Sequence, residues 1–196
     1  DVVINAVTAE EAIVKTKFGD VLPSSADLAG AAVELISSEH REHQLRHSLA
    51  PVKDHYDVIL IDCPPSLEML TLNGLAAADS ILVPVQCEYY ALEGLSDLMN
   101  TMRMVKKRIN PKLEIFAVAL TMFDGRTKNA RDIDELLHLN YGTMVKVFGQ
   151  KIPSSVRAAE TTAKGVSIFQ YDPNGTVGQA YDALTKEVLD NERKYS

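Results

Sequence analysis

Apolar positions along this chain switch repeatedly between short continuous runs and helical spacing. Val58 to Ile61 is a run of four apolar residues, three of them β-branched, and reads as a short strand buried on both faces. Ser80 to Gln86 and Leu113 to Thr121 read as further buried strands, and Thr143 to Phe148 as a last short one. Between them the period lengthens. Leu28, Ala31, Ala32, Leu35 and Ile36 recur at helical spacing, with Asp27 as cap, and the helix is expected to continue through a polar section to Leu49. Leu67 to Ala78 reads as a helix with Gly74 as a weak point. Ala91 to Ile109 carries Leu92, Leu95, Leu98, Met99, Met102 and Val105 on one stripe and is stopped by Asn110-Pro111. Asn129 or Ala130 opens a helix to about Leu139, and another spans about Val156 to Ala163. The last starts at Asn174 or Thr176, with Val177, Tyr181, Leu184 and Val188 as its apolar positions. Near the start, Thr8 followed by Glu11 is a capping-box pattern, and Val21-Leu22 is a short strand.

Strand–helix alternation over the whole length predicts a single α/β domain, residues 1–196, with a mostly parallel sheet and helices on both faces. In such sheets ligands bind beyond the carboxyl ends of the strands. Asp62, Cys87, Glu88, Thr121, Met122 and the stretch Lys151 to Pro153 are expected along that edge.

Composition narrows this little. Hydrophobic residues make up 46% and charged residues 24%, ordinary values for a globular domain. A net charge of −7 argues against coating nucleic acid through overall charge, while leaving room for a local basic patch. Cys63 and Cys87 sit in or beside apolar strands, outside any metal-ligand spacing, as reduced thiols of a cytosolic protein would. No apolar run approaches the roughly 18 residues of a membrane span. His40, His43 and His47 fall on one face of the expected helix; without a fourth ligand nearby they read as a solvated polar face rather than a zinc site.

Candidate chemistry centres on Asp62. A carboxylate directly after a buried strand is costly unless paired, and here Pro64, Pro65 and Ser66 follow it. It reads either as a Walker B aspartate holding Mg²⁺ beside a nucleotide phosphate, or as a strand end whose Asp caps a turn. The stretch Ile61-Asp-Cys-Pro-Pro-Ser66 and the segment Ile81 to Gly94 resemble the ParA/Soj chromosome- and plasmid-partitioning ATPases, a deviant-Walker P-loop group that includes MinD. The resemblance continues through Leu120 to Asp124, Lys151 to Pro153, Ala158 to Glu160, Gly165 to Tyr171, Ala180-Tyr181 and Leu184, from roughly Pro23 onward.

The resemblance implies a P-loop NTPase-like fold, ATP and Mg²⁺ as cofactors, and an ATP-dependent homodimer. It makes Asp62 the catalytic and metal-positioning carboxylate, acting on Mg²⁺ through water. It makes Pro64, Pro65 and Ser66 the γ-phosphate switch, with Glu68 where the family often has Gly. It puts Thr121, Met122, Ile152 and Pro153 around the adenine. It also implies nonspecific DNA binding through Arg126, Lys128, Arg131, Lys151 and Arg157, a ParB-like stimulating protein, and a cytoplasmic, nucleoid-associated location without membrane contact. Asp132, Asp134 and Glu135 lie close to those basic residues and allow a plain mixed-charge surface instead. A MinD-like membrane-surface protein would call for a basic amphipathic C-terminal helix, and the tail from Val188 has no sustained apolar face. An adaptor without enzyme activity is the reading from another class, and an iron–sulfur carrier would need cysteines in a motif that neither Cys63 nor Cys87 makes.

One departure from the family pattern is plain: no Gly-Lys-Thr or Gly-Lys-Ser occurs, and the only Lys-Gly pair is Lys164-Gly165. The expectation is that the sequence begins inside the domain, without the first strand and the phosphate loop whose N–H groups cradle phosphates. As given, it is then expected not to hydrolyse ATP. A phosphate-release assay checks this, and turnover above background by this chain contradicts it.

Overall fold

The computed structural model describes residues 1–64, 66 and 68–192. They form two compact units, the described residues of 1–79 with 101–113 and those of 80–100 with 114–192.

The first unit is mainly helical. Thr8 caps α1 (Ala9–Ala12) in a complete capping box: Glu11 N–H donates to Thr8 Oγ1 at 3.3 Å and Thr8 N–H to Glu11 Oε2 at 3.1 Å. β1 (Val14–Thr16) and β2 (Gly19–Val21) pair as a small antiparallel hairpin. α2 (Leu28–Leu35) is shorter than its periodicity implies. Asp27 stands at its N-cap, but its carboxylate accepts from the Ser25 hydroxyl at 3.2 Å rather than from the helix. The helix ends because local side chains take its carbonyls: Ser37 Oγ donates to Glu34 O at 3.1 Å, and the Arg41 guanidinium donates to Ile36 O at 3.2 Å. His40 then adopts a left-handed backbone (φ 54°). A 3₁₀ turn (Arg41–His43) leads into α3 (Gln44–Leu49). The three histidines therefore do not share one helical face, although the rings of His43 and His47 lie 6.4 Å apart.

α4 (Met69–Ala77) packs against α3 and the 3₁₀ turn before it. Asn73 of α4, 1% exposed, makes the join: its Nδ2 donates to Arg41 O at 2.8 Å and its Oδ1 accepts from Leu45 N–H at 3.1 Å. Gly74 is required by close approach, since a Cβ there would lie 2.5 Å from Cys63 Sγ. Asn110 is buried too, and its Nδ2 donates to Leu75 O at 3.0 Å and Ala78 O at 2.8 Å, covering carbonyls that the end of α4 leaves open.

The expected strand at Val58 to Ile61 is not formed. Among the described residues no strand pairs with it, and Val58, Ile59 and Leu60 are 55%, 41% and 90% exposed. An apolar run supplies the side chains of a buried strand, but only a neighbour can supply the ladder.

The second unit holds the parallel sheet. β3 (Ser80–Gln86) runs parallel to β4 (Glu114–Thr121), with Val83 opposite Val118 and Gln86 opposite Thr121. On the far side of β4 the segment 146–154 also runs parallel, through isolated bridges Val118–Val147 and Phe123–Pro153. The expected strand at Thr143 to Phe148 is thus only bridge-paired; its next bond to β4 is delayed by an irregular step after Phe148. β4 alternates between two cores. Val118 and Leu120 face a core with Leu95 of α5 (Ala91–Arg108) and with Ala130 and Leu137 of α6 (Lys128–Tyr141). Ala117 and Ala119 face Phe148 and Val177, Ala180 and Leu184 of a C-terminal helix. Helices therefore cover both faces of β4, as the alternation implies. α7 (Val156–Lys164), α8 (Ile168–Tyr171) and that helix, α9 (Thr176–Glu192), complete the unit; the loop expected at Gly165 to Asp172 contains α8.

Asn73→Ala removes both long-range bonds and leaves partly buried backbone groups of Leu45 and Arg41 without these partners. Its expected cost is about 1–2 kcal/mol in urea unfolding, from two lost bonds at about 1 kcal/mol each. A loss below 0.5 kcal/mol, read as ~0 on that scale, contradicts the role given to Asn73.

Candidate nucleotide-binding edge

In the second unit the strands end together. β4 finishes at Thr121, whose Oγ1 donates to Val85 O of β3 at 3.4 Å. Met122 follows with φ 50°, a left-handed backbone that a non-glycine residue seldom adopts. The turn is held from the neighbouring segment. Ile152 N–H donates to Leu120 O at 2.9 Å, Phe123 N–H to Ile152 O at 3.0 Å, and Ser154 N–H to Phe123 O at 3.2 Å. Four predicted site residues, Thr121, Met122, Ile152 and Pro153, are thereby brought together at the carboxyl edge. Ile152 is buried, Thr121 and Pro153 are half-buried, and Met122 is exposed. Beside Pro153 an open depression of about 310 Å³ is lined by Gln150, Lys151, Thr176, Gln179 and Ala180.

Behind this edge lies a charge cluster. The Lys151 ammonium is ion-paired with Asp134 of α6 and sits 4.7 Å from the centre of the Phe123 ring. His138 Nδ1 is 3.3 Å from the other Asp134 oxygen. Burial, and then the Asp134 charge, push the Cys87 thiol above its usual value, with Lys151 opposing. Cys87 is thus kept as a buried neutral thiol.

The loop after Phe123 is locked on itself. Arg126 donates from Nε and Nη2 to the two Asp124 oxygens at 2.9 and 2.8 Å. Thr127 caps α6 by accepting from Ala130 N–H at 3.3 Å. Hydrogen bonds from Arg126, first from the side chain and then from the backbone, hold the Asp124 carboxyl down at about 2.

Three of the five basic candidates are already neutralised. Arg126 is paired with Asp124, Lys151 with Asp134, and Arg157 with Asp172 at 2.8 Å. Lys128 and Arg131, at the start of α6, are exposed and carry no ion pair among the described residues. Sequence proximity of Asp124 to Arg126 could have signalled the first pair. Lys151–Asp134 and Arg157–Asp172 join residues far apart in the chain and carry no local signal.

In the first unit Asp62 is exposed and has no ion pair or side-chain hydrogen bond among the described residues. Burial of its sulfur, then the Asp62 charge, push the Cys63 thiol up. Pro64 O and Ser66 O both accept from Thr71 Oγ1 of α4, at 3.4 and 2.6 Å. Thr71, which fastens the expected switch to a helix, escaped sequence reasoning because threonine inside a helix is unremarkable there. Pro65 lies outside the described residues. Among the described residues no three His, Cys, Asp or Glu side chains gather as a metal cluster. One free carboxylate still fits Mg²⁺ in the mode where substrate phosphates and water supply the other oxygens.

Comparison with known proteins identifies the family. A family profile described as an AAA domain matches residues 1–115. The sporulation initiation inhibitor protein Soj of Bacillus subtilis is 46% identical over 172 residues, covering 88% of this chain and 67% of that protein. The chromosome partitioning protein ParA of Caulobacter vibrioides (strain NA1000 / CB15N) is 40% identical over 197 residues, covering 98% of this chain and 73% of that protein. A crystal structure of cobyrinic acid a,c-diamide synthase from Mycobacterium smegmatis, with bound ATP analogue and magnesium, superposes with a TM-score of 0.73 at 33% identity, over 85% of this chain and 72% of that one. The fold is that of the P-loop nucleoside triphosphatases, and the chain belongs to the Soj/ParA family of chromosome-partitioning ATPases. It spans about two thirds of the length of the curated relatives it matches.

The Asp124–Arg126 clamp has a defined pH window. The carboxyl is lowered in the folded state from an ordinary 3.8 to about 2. Its contribution is therefore full above pH ~4 and lost as pH falls through ~2. Carboxyl-carbon NMR should give Asp124 a midpoint near 2, returning towards 3.8 in Arg126→Ala. A midpoint unmoved by that substitution contradicts the clamp.

Proposed function

We propose that the protein is a partitioning ATPase that dimerises on binding ATP and Mg²⁺, holds DNA without sequence preference while dimeric, and is reset when a ParB-like partner stimulates hydrolysis. The observation that carries this reading is the pairing of Leu120 and Phe123, which flank Thr121 and Met122, with Ile152 and Pro153 at the carboxyl edge of a parallel sheet, where this fold class binds ligands. Identity of 46% to Soj supports the partitioning role.

Each residue takes the role its surroundings allow. Asp62 is free to position Mg²⁺ through water. Pro64, Pro65 and Ser66 take the phosphate-sensing role, and Thr71 ties the Pro64 and Ser66 carbonyls to α4. Thr121, Met122 and Pro153 border the base, and Ile152, buried in the core, contributes through the backbone bonds that hold the edge. Mg²⁺ held through water by Asp62 would neutralise phosphate charge when water's oxygen replaces the bridging oxygen on the γ-phosphorus, the water proton leaving with the inorganic phosphate. Lys128 and Arg131 are the DNA-facing cations, because their charges are not already spent on a neighbouring carboxylate.

Light scattering on the full-length gene product tests the switch. Mass should double with ATP and Mg²⁺ and stay monomeric in Asp62→Ala; a wild type whose mass ignores ATP contradicts the reading. For DNA, Lys128→Ala/Arg131→Ala should weaken ATP-dependent binding and flatten the log–log salt slope by about 1.8, at ~0.9 per lost phosphate contact. Arg126→Ala and Arg157→Ala should act less, since each leaves a carboxylate behind. Equal losses from all four would show that the ion pairs open on DNA and overturn the ranking.

A further inference from the structure

The segment beside β4 contains a step that the ladder cannot explain. Phe148 N–H donates to Val118 O and Ile152 N–H to Leu120 O, each at 2.9 Å. The segment advances four residues while β4 advances two, so it carries two more residues than regular parallel pairing requires. The N–H groups of Gly149 and Gln150 lose their place in the ladder as a result. Gly149 is exposed and Gln150 half-buried, so water could serve these groups, but water would not fix where the bulge stands. One side chain takes both: Glu187 of α9 accepts from Gly149 N–H through Oε1 at 2.9 Å and from Gln150 N–H through Oε2 at 3.0 Å.

The packing of α9 puts that carboxylate in place. Val177, Ala180 and Leu184 lie in the core under β4, and Glu187 follows Leu184 by three residues on the same side of the helix. The consequence reaches the edge. Gln150 Nε2 donates to Lys151 O at 2.8 Å, Lys151 is held by Asp134, and Ile152 and Pro153 rejoin β4 at the turn around Met122. The bulge sets where Gln150, Lys151 and Pro153 stand on the rim of the depression.

We propose that Glu187 is a positioning residue for base recognition: by holding the 149–151 bulge it sets the Ile152–Pro153 edge and, through it, the preference for adenine over guanine. This rests on the reading of that edge as the base site. Base discrimination depends on polar groups fixed to a fraction of an ångström, so a loosened bulge blurs it before it abolishes binding.

The test measures affinities of the full-length gene product for fluorescent ATP and GTP with Mg²⁺, alongside thermal midpoints. The variants are Glu187→Ala, Glu187→Gln and, as a control for general destabilisation through α9, Leu184→Ala. The wild type should prefer ATP. Glu187→Ala should cut the ATP-to-GTP affinity ratio about tenfold. Glu187→Gln keeps one acceptor and should fall between, and it carries the test alone should the alanine variant fail to fold. Leu184→Ala should lower the thermal midpoint and keep the ratio. A wild-type ratio in both Glu187 variants overturns the positioning role and leaves the base site standing. A ratio that falls equally in Leu184→Ala assigns the effect to stability and also overturns it. A wild type that binds neither nucleotide removes the base-site reading and the proposal with it.

Discussion

Burial of β4 on both faces is the constraint on which the second unit depends. Residues Ala117 to Leu120 are essentially inaccessible, and successive side chains enter different cores. The side carrying Val118 and Leu120 meets α5 and α6 with branched side chains. The side carrying Ala117 and Ala119 uses small ones, which leaves room for Phe148 and α9. A slip of one residue would exchange large for small on both faces, so the register is fixed by volume as well as by hydrogen bonds. That register decides that Thr121 and Met122 emerge at the edge beside Ile152 and Pro153.

Charge at this edge is mostly settled within the protein. Asp134 holds Lys151, Asp124 holds Arg126 and Asp172 holds Arg157, so the acidic net charge coexists with a local supply of cations without leaving most of them open. Lys151, half-buried against Phe123, acts on the shape of the edge more than on a distant anion. Of the five basic candidates, the two left open to a polyanion, Lys128 and Arg131, sit at the start of α6.

Where the periodic signal was strong and local, the sequence predicted the structure closely. β3 has the expected bounds, and α5 and α7 differ by about a residue, because their apolar stripes and stop signals lie within each element. The grouping of Thr121 and Met122 with Ile152 and Pro153 was also legible, since parallel strand ends must converge. What was not legible depended on distant partners. Val58 to Ile61 has a strand's composition without a paired neighbour among the described residues. The helix expected to reach Leu49 is cut by Ser37 and Arg41, whose side chains compete for its carbonyls. The step after Phe148 is completed by Glu187, far along the chain, and the left-handed Met122 has no glycine to announce it.

The central claim is that a nucleotide base docks at the Thr121–Met122 and Ile152–Pro153 edge. Photo-crosslinking of the full-length gene product with 8-azido-ATP and Mg²⁺, followed by peptide mapping, tests it most directly. The account predicts ATP-competable label within residues 121–126 and 150–153. Competable label confined to other peptides, with these two unmodified, would contradict it.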